Sequence, residues 1–235
     1  MYSKKKIWII NQFANSPDMP GGTRHFEIAS FLASKNLSID LFSSDFNLSK
    51  RSFLKLNFLE LCKKEKFDDF NINWLRVFPY KKNNWKRYLN LISFSFSLLI
   101  YQIFLILRGS SPDLIIASSP QLISAFCSLI IAKIINKPFV FEVRDLWPQM
   151  LIDVGGANPK SFIIKILKFL EKTLYSNSNT IVILAKGMES YIRKLGGKNI
   201  LWLPNGPDLD NFYYSPLPDE PTKFNFKRPF KLLYA

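Results

Sequence analysis

Three ionisable residues, Glu142, Arg144 and Asp145, lie within four positions of one another. They stand at the end of the apolar segment 139–143, whose composition predicts a buried strand. Open α/β sheets hold their ligand sites outside the carboxyl ends of the strands, so these three residues are candidates for catalysis. The alternative is an internal ion pair between Arg144 and a carboxylate, which would only hold the loop in place.

A second candidate site is Gly21-Gly22, which lies between a predicted strand at 7–10 and a predicted helix at 23–34. Glycine lets the backbone approach an anion closely, and the free N–H groups at the start of a helix would face that anion. The pattern is not G-x-G-x-x-G, so the dinucleotide-binding fingerprint is absent. By themselves, two adjacent glycines form a turn more often than a phosphate site.

The elements that must position these residues are predicted from short apolar segments that alternate with stretches of helical periodicity. Strand, helix and strand repeated in this way predict an α/β fold with a Rossmann-like, doubly wound parallel sheet. The predicted strands are residues 7–10, 37–42, 74–77, 114–117, 139–143, 180–184 and 200–203. Residues 48–70 are polar and basic, and a short helix with a mobile excursion is predicted there.

Two further helices are predicted in the second half of the chain. One begins with Asn158 as N-cap and Pro159 as first residue, and runs to Tyr175. It is amphipathic, with a basic face expected in water. That face contains Ser161, Lys165, Lys168 and Lys172, while Phe162, Ile166, Phe169 and Leu170 point elsewhere. The other helix covers 186–195 and ends at two glycines.

The chain is strongly basic, with 32 Lys and Arg residues against 18 Asp and Glu residues, a net charge of +14. Residues 50–88 contain eleven basic and four acidic residues, and so carry half of the excess. Such a block favours an anionic partner, either a nucleic acid or a membrane surface. The uncharged segment 88–107 that follows indicates a membrane and disfavours nucleic acid.

The residues predicted to contact the membrane are Lys81, Lys82, Trp85, Lys86 and Arg87. The apolar segment after them is long enough to span a bilayer. However, the segments on both sides of it belong to one predicted sheet, and a span would separate them. We therefore expect a helix that packs on the sheet and dips one face into lipid, with an ordinary core helix as the alternative.

The chain contains two cysteines, Cys62 and Cys127, and one histidine, His25. The cysteines fit no metal-binding or redox motif, and no cleavable signal peptide precedes the first predicted strand. A reducing cytosol is therefore expected. We predict no metal site and no cofactor.

Four stretches of the chain, taken together and in order, resemble the amino-terminal half of a family 4 glycosyltransferase with the GT-B fold. The resemblance is to the subgroup that builds bacterial O-antigen, capsule or colanic-acid repeat units. The stretches are Asn-Gln-Phe at 11–13 with 21–27, the strand after Pro112 that ends in Ala-Ser-Ser-Pro at 117–120, Glu-Val-Arg-Asp-Leu-Trp-Pro at 142–148, and Leu-Pro-Asn-Gly at 203–206 with Asp208 and Phe212.

The resemblance implies two Rossmann-like domains that face each other across a cleft. The first would bind mainly the acceptor and the second mainly a nucleotide sugar, with transfer that needs no metal. Gly21 and Gly22 would lie under the diphosphate and reacting sugar of the donor, and Thr23, Arg24 and His25 would begin the helix beside them. Helix N-termini and basic side chains stabilise the charge that develops on the leaving group. The alternative is that His25 is an exposed helix residue, as is Glu27.

On the acceptor side, the resemblance assigns Ser118, Ser119 and the group from Glu142 to Asp145 to the lining of the cleft. Asp145 is expected to bind an acceptor hydroxyl and Arg144 to orient a carboxylate or phosphate. A polyprenyl-diphosphate-linked saccharide as acceptor would explain the basic and apolar block. The protein would then be cytoplasmic, and peripheral on the inner face of the bacterial cell membrane.

The resemblance also divides the chain. Residues 1–206 would be the GT-B amino-terminal domain, 207–229 a linker rich in Pro, Asp and Asn, and 230–235 the start of a truncated, donor-binding second domain. A chain of this length is expected to be a glycosyltransferase fragment that is inactive by itself. The alternative is a non-catalytic, membrane-associated binding module or the remnant of a disrupted gene. A nucleotide-sugar epimerase is disfavoured because its glycine fingerprint is missing.

Overall fold

The computed structural model describes residues 4–57, 60–67, 69–82 and 85–206. The strands are β1 Lys6–Ile10, β2 Ser38–Ser44, β3 Phe46–Asn47, β4 Ser52–Phe53, β5 Cys62–Lys66, β6 Asn71–Leu75, β7 Leu114–Ser118, β8 Phe139–Val143, β9 Thr180–Ile183 and β10 Ile200–Trp202. The helices are α1 Arg24–Ser34, α2 Trp85–Leu107, α3 Leu122–Ile134, α4 Gln149–Asp153, α5 Phe162–Asn177 and α6 Glu189–Lys194, with a 3-10 turn at Lys186–Met188. The predicted linker and second-domain start, and with them Asp208 and Phe212, lie outside the described residues.

Eight of the strands form one sheet in the order β10-β9-β8-β7-β1-β2-β6-β5. Neighbouring strands are parallel throughout, except that β5 runs antiparallel to β6. The central strands β1, β7 and β8 are almost completely buried, as is typical of a parallel sheet covered on both faces. The predicted α/β, Rossmann-like sheet is thus confirmed.

Helices cover the two faces of this sheet because successive residues of a strand point in opposite directions. On one face, Ile9 and Leu41 belong to the core beneath α1. On the other face, Trp8 and Phe141 belong to the larger core beneath α2, α3 and α5. The compact unit that contains all these elements ends at Pro204.

The prediction was wrong for residues 48–70, where the structure contains β4 and β5 and no helix among the residues it describes. The buried Asp45 carboxylate orders this part of the chain by accepting three backbone N–H groups from residues 54–56, at 2.6 to 3.1 Å. Strand β5 is highly charged because it lies at the sheet edge and exposes most of its side chains. Its Glu65 accepts a hydrogen bond from the indole of Trp74 at 2.7 Å.

Two helix boundaries also differ from the prediction. The N-cap of α5 is Ser161, whose hydroxyl accepts the backbone N–H of Ile164 at 3.3 Å. Asn158 instead accepts the backbone N–H of Lys160 at 2.9 Å, so it forms a turn ahead of the helix. The single helix predicted at 186–195 is a 3-10 turn followed by the short helix α6.

The buried face of helix α2 contains polar as well as apolar side chains, and its outer face is apolar. The amide of Asn90 donates to the backbone carbonyl of Phe78 at 2.7 Å, and that of Gln102 donates to Ser128 of α3 at 3.2 Å. Both amides are buried. The exposed apolar stripe of α2 consists of Tyr88, Ile92, Phe96, Ile100, Ile103, Phe104 and Leu107.

Among the described residues, α2 is the helix long and apolar enough to cross a membrane, by length and composition only. The strands before and after it, β6 and β7, both belong to the same sheet. The helix therefore lies on the sheet in this structure. Its outward apolar stripe is exposed in this structure.

Candidate functional site

The candidate site lies at the edge of the sheet where the parallel strands end. Asn11 and Gln12 follow β1, Ser118 closes β7, and Glu142 precedes the end of β8. These strands are neighbours in the sheet, so residues far apart in sequence come together. The amino end of α1 approaches the same edge.

Glu142 is the centre of a buried cluster of charged and polar groups. One carboxylate oxygen, Oε1, lies 3.1 Å from Nε and 3.0 Å from a terminal nitrogen of Arg24. The other, Oε2, lies 2.7 Å from Nε2 of His25 and accepts the hydroxyl of Ser118. The carboxylate therefore joins the first turn of α1 to two strands of the sheet.

Burial by itself would raise the pKa of Glu142. The hydrogen bond and charge of His25, the hydrogen bond of Ser118 and the charge of Arg24 together outweigh burial, and they lower the pKa from 4.5 to about 2. A carboxylate with this pKa and with both oxygens engaged is a poor proton acceptor at neutral pH. The alternative ion pair between Arg144 and a carboxylate is not found among the described residues, and the cation that pairs with Glu142 is Arg24.

His25 is buried, so the alternative that it is an exposed helix residue is wrong. Its Nδ1 lies 3.1 Å from the amide nitrogen of Asn11. Because an ionised carboxylate only accepts, Nε2 of His25 donates the hydrogen bond to Glu142. Glu27, in contrast, is exposed, and it accepts the hydroxyl of Thr23 at 2.5 Å.

Arg144 does not take part in the Glu142 cluster. It lines a cavity of about 240 Å³ together with Gln12, Asn15 and Gly21-Gly22. Its Nε is buried and has no hydrogen-bond partner among the described residues. A buried guanidinium N–H without a partner is costly, which makes Arg144 a candidate for contact with a bound acceptor group.

The two glycines of this cavity differ in their surroundings. Gly21 has a φ of +132°, and a Cβ added there would lie 2.3 Å from the amide nitrogen of Asn15. Gly22 has no neighbouring atom within 4 Å of an added Cβ. Gly21 is therefore needed for the backbone conformation, and Gly22 leaves open space in front of the backbone.

Ser119 positions the loop after β8. Its hydroxyl accepts the backbone N–H groups of Arg144 and Asp145 at 2.8 and 3.3 Å, and it is almost completely buried. The side chain of Asp145 is exposed, and no hydrogen bond to it is found among the described residues. The loop is thus held by its backbone while the Asp145 carboxylate points away from the core.

The structure brings most of the predicted site residues to this edge of the sheet. They are Gly21, Gly22, Thr23, Arg24, His25, Ser118, Ser119, Glu142, Arg144 and Asp145. The predicted membrane contacts lie elsewhere. Lys81, Lys82 and Lys86 line a separate open cavity of about 370 Å³ with Arg51 and Tyr80, and Trp85 is exposed.

Sequence reasoning did not single out a chain of three buried amides beside the site. Gln121 donates to Gln12 at 3.0 Å, and Gln12 donates to Asn90 of α2 at 2.7 Å. This chain connects β1, α2 and the start of α3. Its signal in the sequence was Asn90, an amide inside an otherwise apolar helix, because such a residue needs a buried partner.

The described residues contain no group of three or more His, Cys, Asp or Glu side chains that could hold a metal ion. His25 and Glu142 are close, but their polar atoms are already paired with each other and with Arg24, Ser118 and Asn11. The chemistry of this edge is therefore that of hydrogen-bond donors and positive charge, which suits an anionic ligand.

No protein-family model matches the chain, and no curated protein sequence matches it. Its fold is similar to that of sucrose-phosphate synthase from Thermosynechococcus elongatus, with a TM-score of 0.63 and 14% identity over 89% of this chain and 50% of that one. The catalytic domain of starch synthase IV from Arabidopsis thaliana, bound to ADP and acarbose, has a TM-score of 0.54 and 14% identity over 89% of this chain and 53% of that one. A UDP-glucosyltransferase from Polygonum tinctorium has a TM-score of 0.52 and 9% identity over 93% of this chain and 56% of that one.

At these identities the similarity concerns the fold alone. The chain has the Rossmann-like fold found in GT-B glycosyltransferases, and it spans about half the length of these three structures.

Proposed function

We propose that this chain is the acceptor-side half of a glycosyltransferase, which moves a sugar from a nucleotide sugar to a lipid-linked saccharide. The observation that carries the proposal is the cavity at the carboxyl edge of the sheet. There Gly22, with open space in front of its backbone, and Arg144, whose buried Nε has no hydrogen-bond partner among the described residues, line the same space. The GT-B-like fold makes glycosyl transfer the reaction class that this edge suits best.

The cavity suits the diphosphate of a nucleotide sugar. The positive end of α1 lies beside Gly21-Gly22, and helix N-termini favour anions. Arg144 adds a permanent charge and several N–H donors. Together these groups would stabilise the negative charge that develops on the leaving nucleoside diphosphate.

The acceptor would be bound on the β8 side of the cavity. The exposed carboxylate of Asp145 would accept a hydrogen bond from the reacting hydroxyl, and Ser119 would hold its loop in place. Glu142 would act as a positioning residue for Arg24 and His25, because its own low pKa leaves it unable to take up a proton.

The outward apolar stripe of α2 suits contact with the membrane that holds such an acceptor. Removing such side chains from water is favourable, and the basic residues Lys81, Lys82 and Lys86 at one end of the helix favour an anionic membrane. This is the arrangement required at the cytoplasmic face of a bacterial cell membrane. The class of pathway would be synthesis of a surface polysaccharide such as O-antigen, capsule or colanic acid.

The test is transfer of labelled sugar from a panel of UDP, GDP and dTDP sugars to extracted membrane lipid, catalysed by the complete protein product of the gene. Asp145→Asn and Arg144→Ala are each expected to reduce the rate by about 100-fold or more, which is typical of losing a catalytic hydrogen-bonding group. Asp153→Asn and Arg193→Ala are the matched controls, since both residues are exposed and lie outside the cavity.

Equal rates for Asp145→Asn and Asp153→Asn would contradict the assigned role of Asp145. No transfer from any donor, with lipid binding retained, would instead support a non-catalytic, membrane-associated binding module.

A further inference from the structure

An apolar groove of about 250 Å³ lies between the amino-terminal parts of α2, α3 and α5. Ile92 of α2 and Ile166 of α5 form its walls, Leu122 of α3 lies at its floor, and Trp147 and Leu151 line it on the side of the β8 loop. Lys81, Lys82, Trp85, Lys86 and Arg87, the basic and interfacial residues predicted to contact the membrane, do not line this groove. It is therefore distinct from the basic cavity at 79–86.

The groove offers almost no hydrogen-bonding capacity. Its most polar lining residue, Gln121, already donates to Gln12 and to the backbone carbonyl of Leu91, and it accepts the backbone N–H of Ile123. A peptide or a sugar in the groove would leave its own polar groups unpaired, which is costly. A hydrocarbon chain has no polar groups and therefore loses no hydrogen bonds when it enters the groove.

The position of the groove connects the candidate site with the outward apolar surface. Trp147 is two residues beyond Asp145, and the groove residue Pro120 directly follows Ser119. In the other direction, Ile92 belongs to the exposed stripe of α2, and Ile166 is exposed on α5 together with Phe162, Ile163 and Phe169. A chain in the groove would thus have one end beside Asp145 and the other in the membrane.

Charge determines the kind of lipid. Lys86 and Arg87 directly precede the groove residue Tyr88. These cations would attract an anionic head group and disfavour a neutral one.

We infer that the groove binds the hydrocarbon chain of a phosphate-linked lipid and so holds the acceptor's head group at the Asp145 loop. The inference rests on the proposed function, because it concerns the lipid part of the acceptor. It assigns to Ile166, Leu122 and Trp147 a role in substrate binding that the candidate site alone does not include.

The experiment uses a farnesyl phosphate analogue with a photoreactive group at the far end of its chain. The probe is irradiated with the 235-residue chain, and the labelled peptides are identified by mass spectrometry. Labelling is expected at residues 147–151 and 163–167, and farnesol with the same photoreactive group is expected to label less. Labelling confined to the outer stripe of α2, or equal labelling by the alcohol, would overturn the inference.

Two matched variants test occupancy. Ile166→Trp fills the groove, and Ile103→Trp makes the same change on the outer stripe of α2, where the wild-type side chain is equally exposed at 42%. Excluding two or more methylene groups from the groove weakens binding by roughly tenfold, so Ile166→Trp should lose most of the labelling while Ile103→Trp keeps it. Equal labelling of the two variants would contradict the inference.

The failure of this inference can be told apart from failure of the proposed function. If sugar transfer occurs but the groove is not labelled, the groove assignment is wrong and the function stands. If the groove is labelled but no transfer occurs, the function is wrong and a lipid-binding groove remains. A concentration-dependent dimer that Ile166→Trp dissociates would show that a second copy covers the groove, and it would overturn the inference.

Discussion

Replacing Glu142 by glutamine removes the negative charge of the buried cluster while nearly preserving its shape. The wild-type carboxylate is 4% exposed and pairs with Arg24 and His25. Breaking a buried ion pair by neutralising one partner costs about 3 to 5 kcal/mol, because the other charge stays without compensation. Since 18% of the Arg24 side chain is exposed to water, we expect the lower end of this range, about 3 kcal/mol.

The pKa of Glu142 leads independently to the same magnitude. A fall from 4.5 to about 2 corresponds to about 3 kcal/mol at pH 7, since each pH unit between the unfolded and folded values is worth about 1.4 kcal/mol. Because the folded-state pKa is lowered, this stability is present above pH 4.5 and is lost as the pH falls toward 2. By pH 3 roughly half of the contribution should already be gone.

The measurement is urea unfolding of wild type and Glu142→Gln at pH 7 and at pH 3. The difference in unfolding free energy should be about 3 kcal/mol at pH 7 and about half of that at pH 3. Glu189→Gln is the control, because it breaks an exposed ion pair with Arg193 and should cost less than about 1 kcal/mol at either pH. A loss below 1 kcal/mol for Glu142→Gln at pH 7, or a loss independent of pH, would refute the reasoning.

Three further predictions concern other parts of the fold. Gly21→Ala should lower the unfolding free energy by about 1 to 3 kcal/mol, because its φ of +132° suits only glycine. The control Gly22→Ala should change the unfolding free energy by less than about 0.5 kcal/mol. Equal shifts in melting temperature for the two variants would contradict this prediction. Burial raises the pKa of Glu171 to about 7, although hydrogen bonds from two tyrosines lower it. Because the pKa is higher in the folded state than in the unfolded state, the wild-type protein should lose stability as the pH rises from 4.5 through 7. Glu171→Gln should abolish that loss in urea titrations, and an unchanged pH profile would count against it. Ile100→Glu on the outer stripe of α2 should lower the affinity for phosphatidylglycerol vesicles, measured by co-sedimentation, by about tenfold or more. The control Phe31→Glu on α1 should leave this affinity unchanged. Equal losses of affinity would show that membrane binding does not use α2.

The strand that carries the candidate catalytic residues was predicted with its observed bounds, Phe139–Val143. Its sequence is a short apolar run between turn residues, and local periodicity is sufficient for such an element. The gathering of Gly21-Gly22, Ser118-Ser119 and the Glu142 group at one edge was also predictable. Parallel strands end at a common edge, so residues that follow them converge.

The partners within that edge could not be predicted from local pattern. Glu142 pairs with Arg24, which is 118 residues away, and not with the nearby Arg144. Strand alternation would put Glu142 and Arg144, two residues apart, on the same side, but β8 ends at Val143, so Arg144 has left the strand and lines the glycine cavity while Glu142 pairs with α1. The strands within 48–70 were missed because edge strands can be charged and so lack the alternation that marks a half-buried strand.

The orientation of α2 also depends partly on local sequence pattern and partly on tertiary contacts. Composition alone established that residues 88–107 form an uncharged apolar segment beside a basic one, and this pattern predicts a helix at a membrane surface. Which face of that helix turns outward depends on where Asn90 and Gln102 find hydrogen-bond partners, and those partners are supplied by other elements of the fold. The sequence by itself therefore determined the alternation of the main strands and helices and the edge at which the site lies, because both follow from short-range pattern. Only the tertiary structure decided which charges pair, which guanidinium stays available and which apolar face remains uncovered, because these depend on contacts between residues distant in the chain.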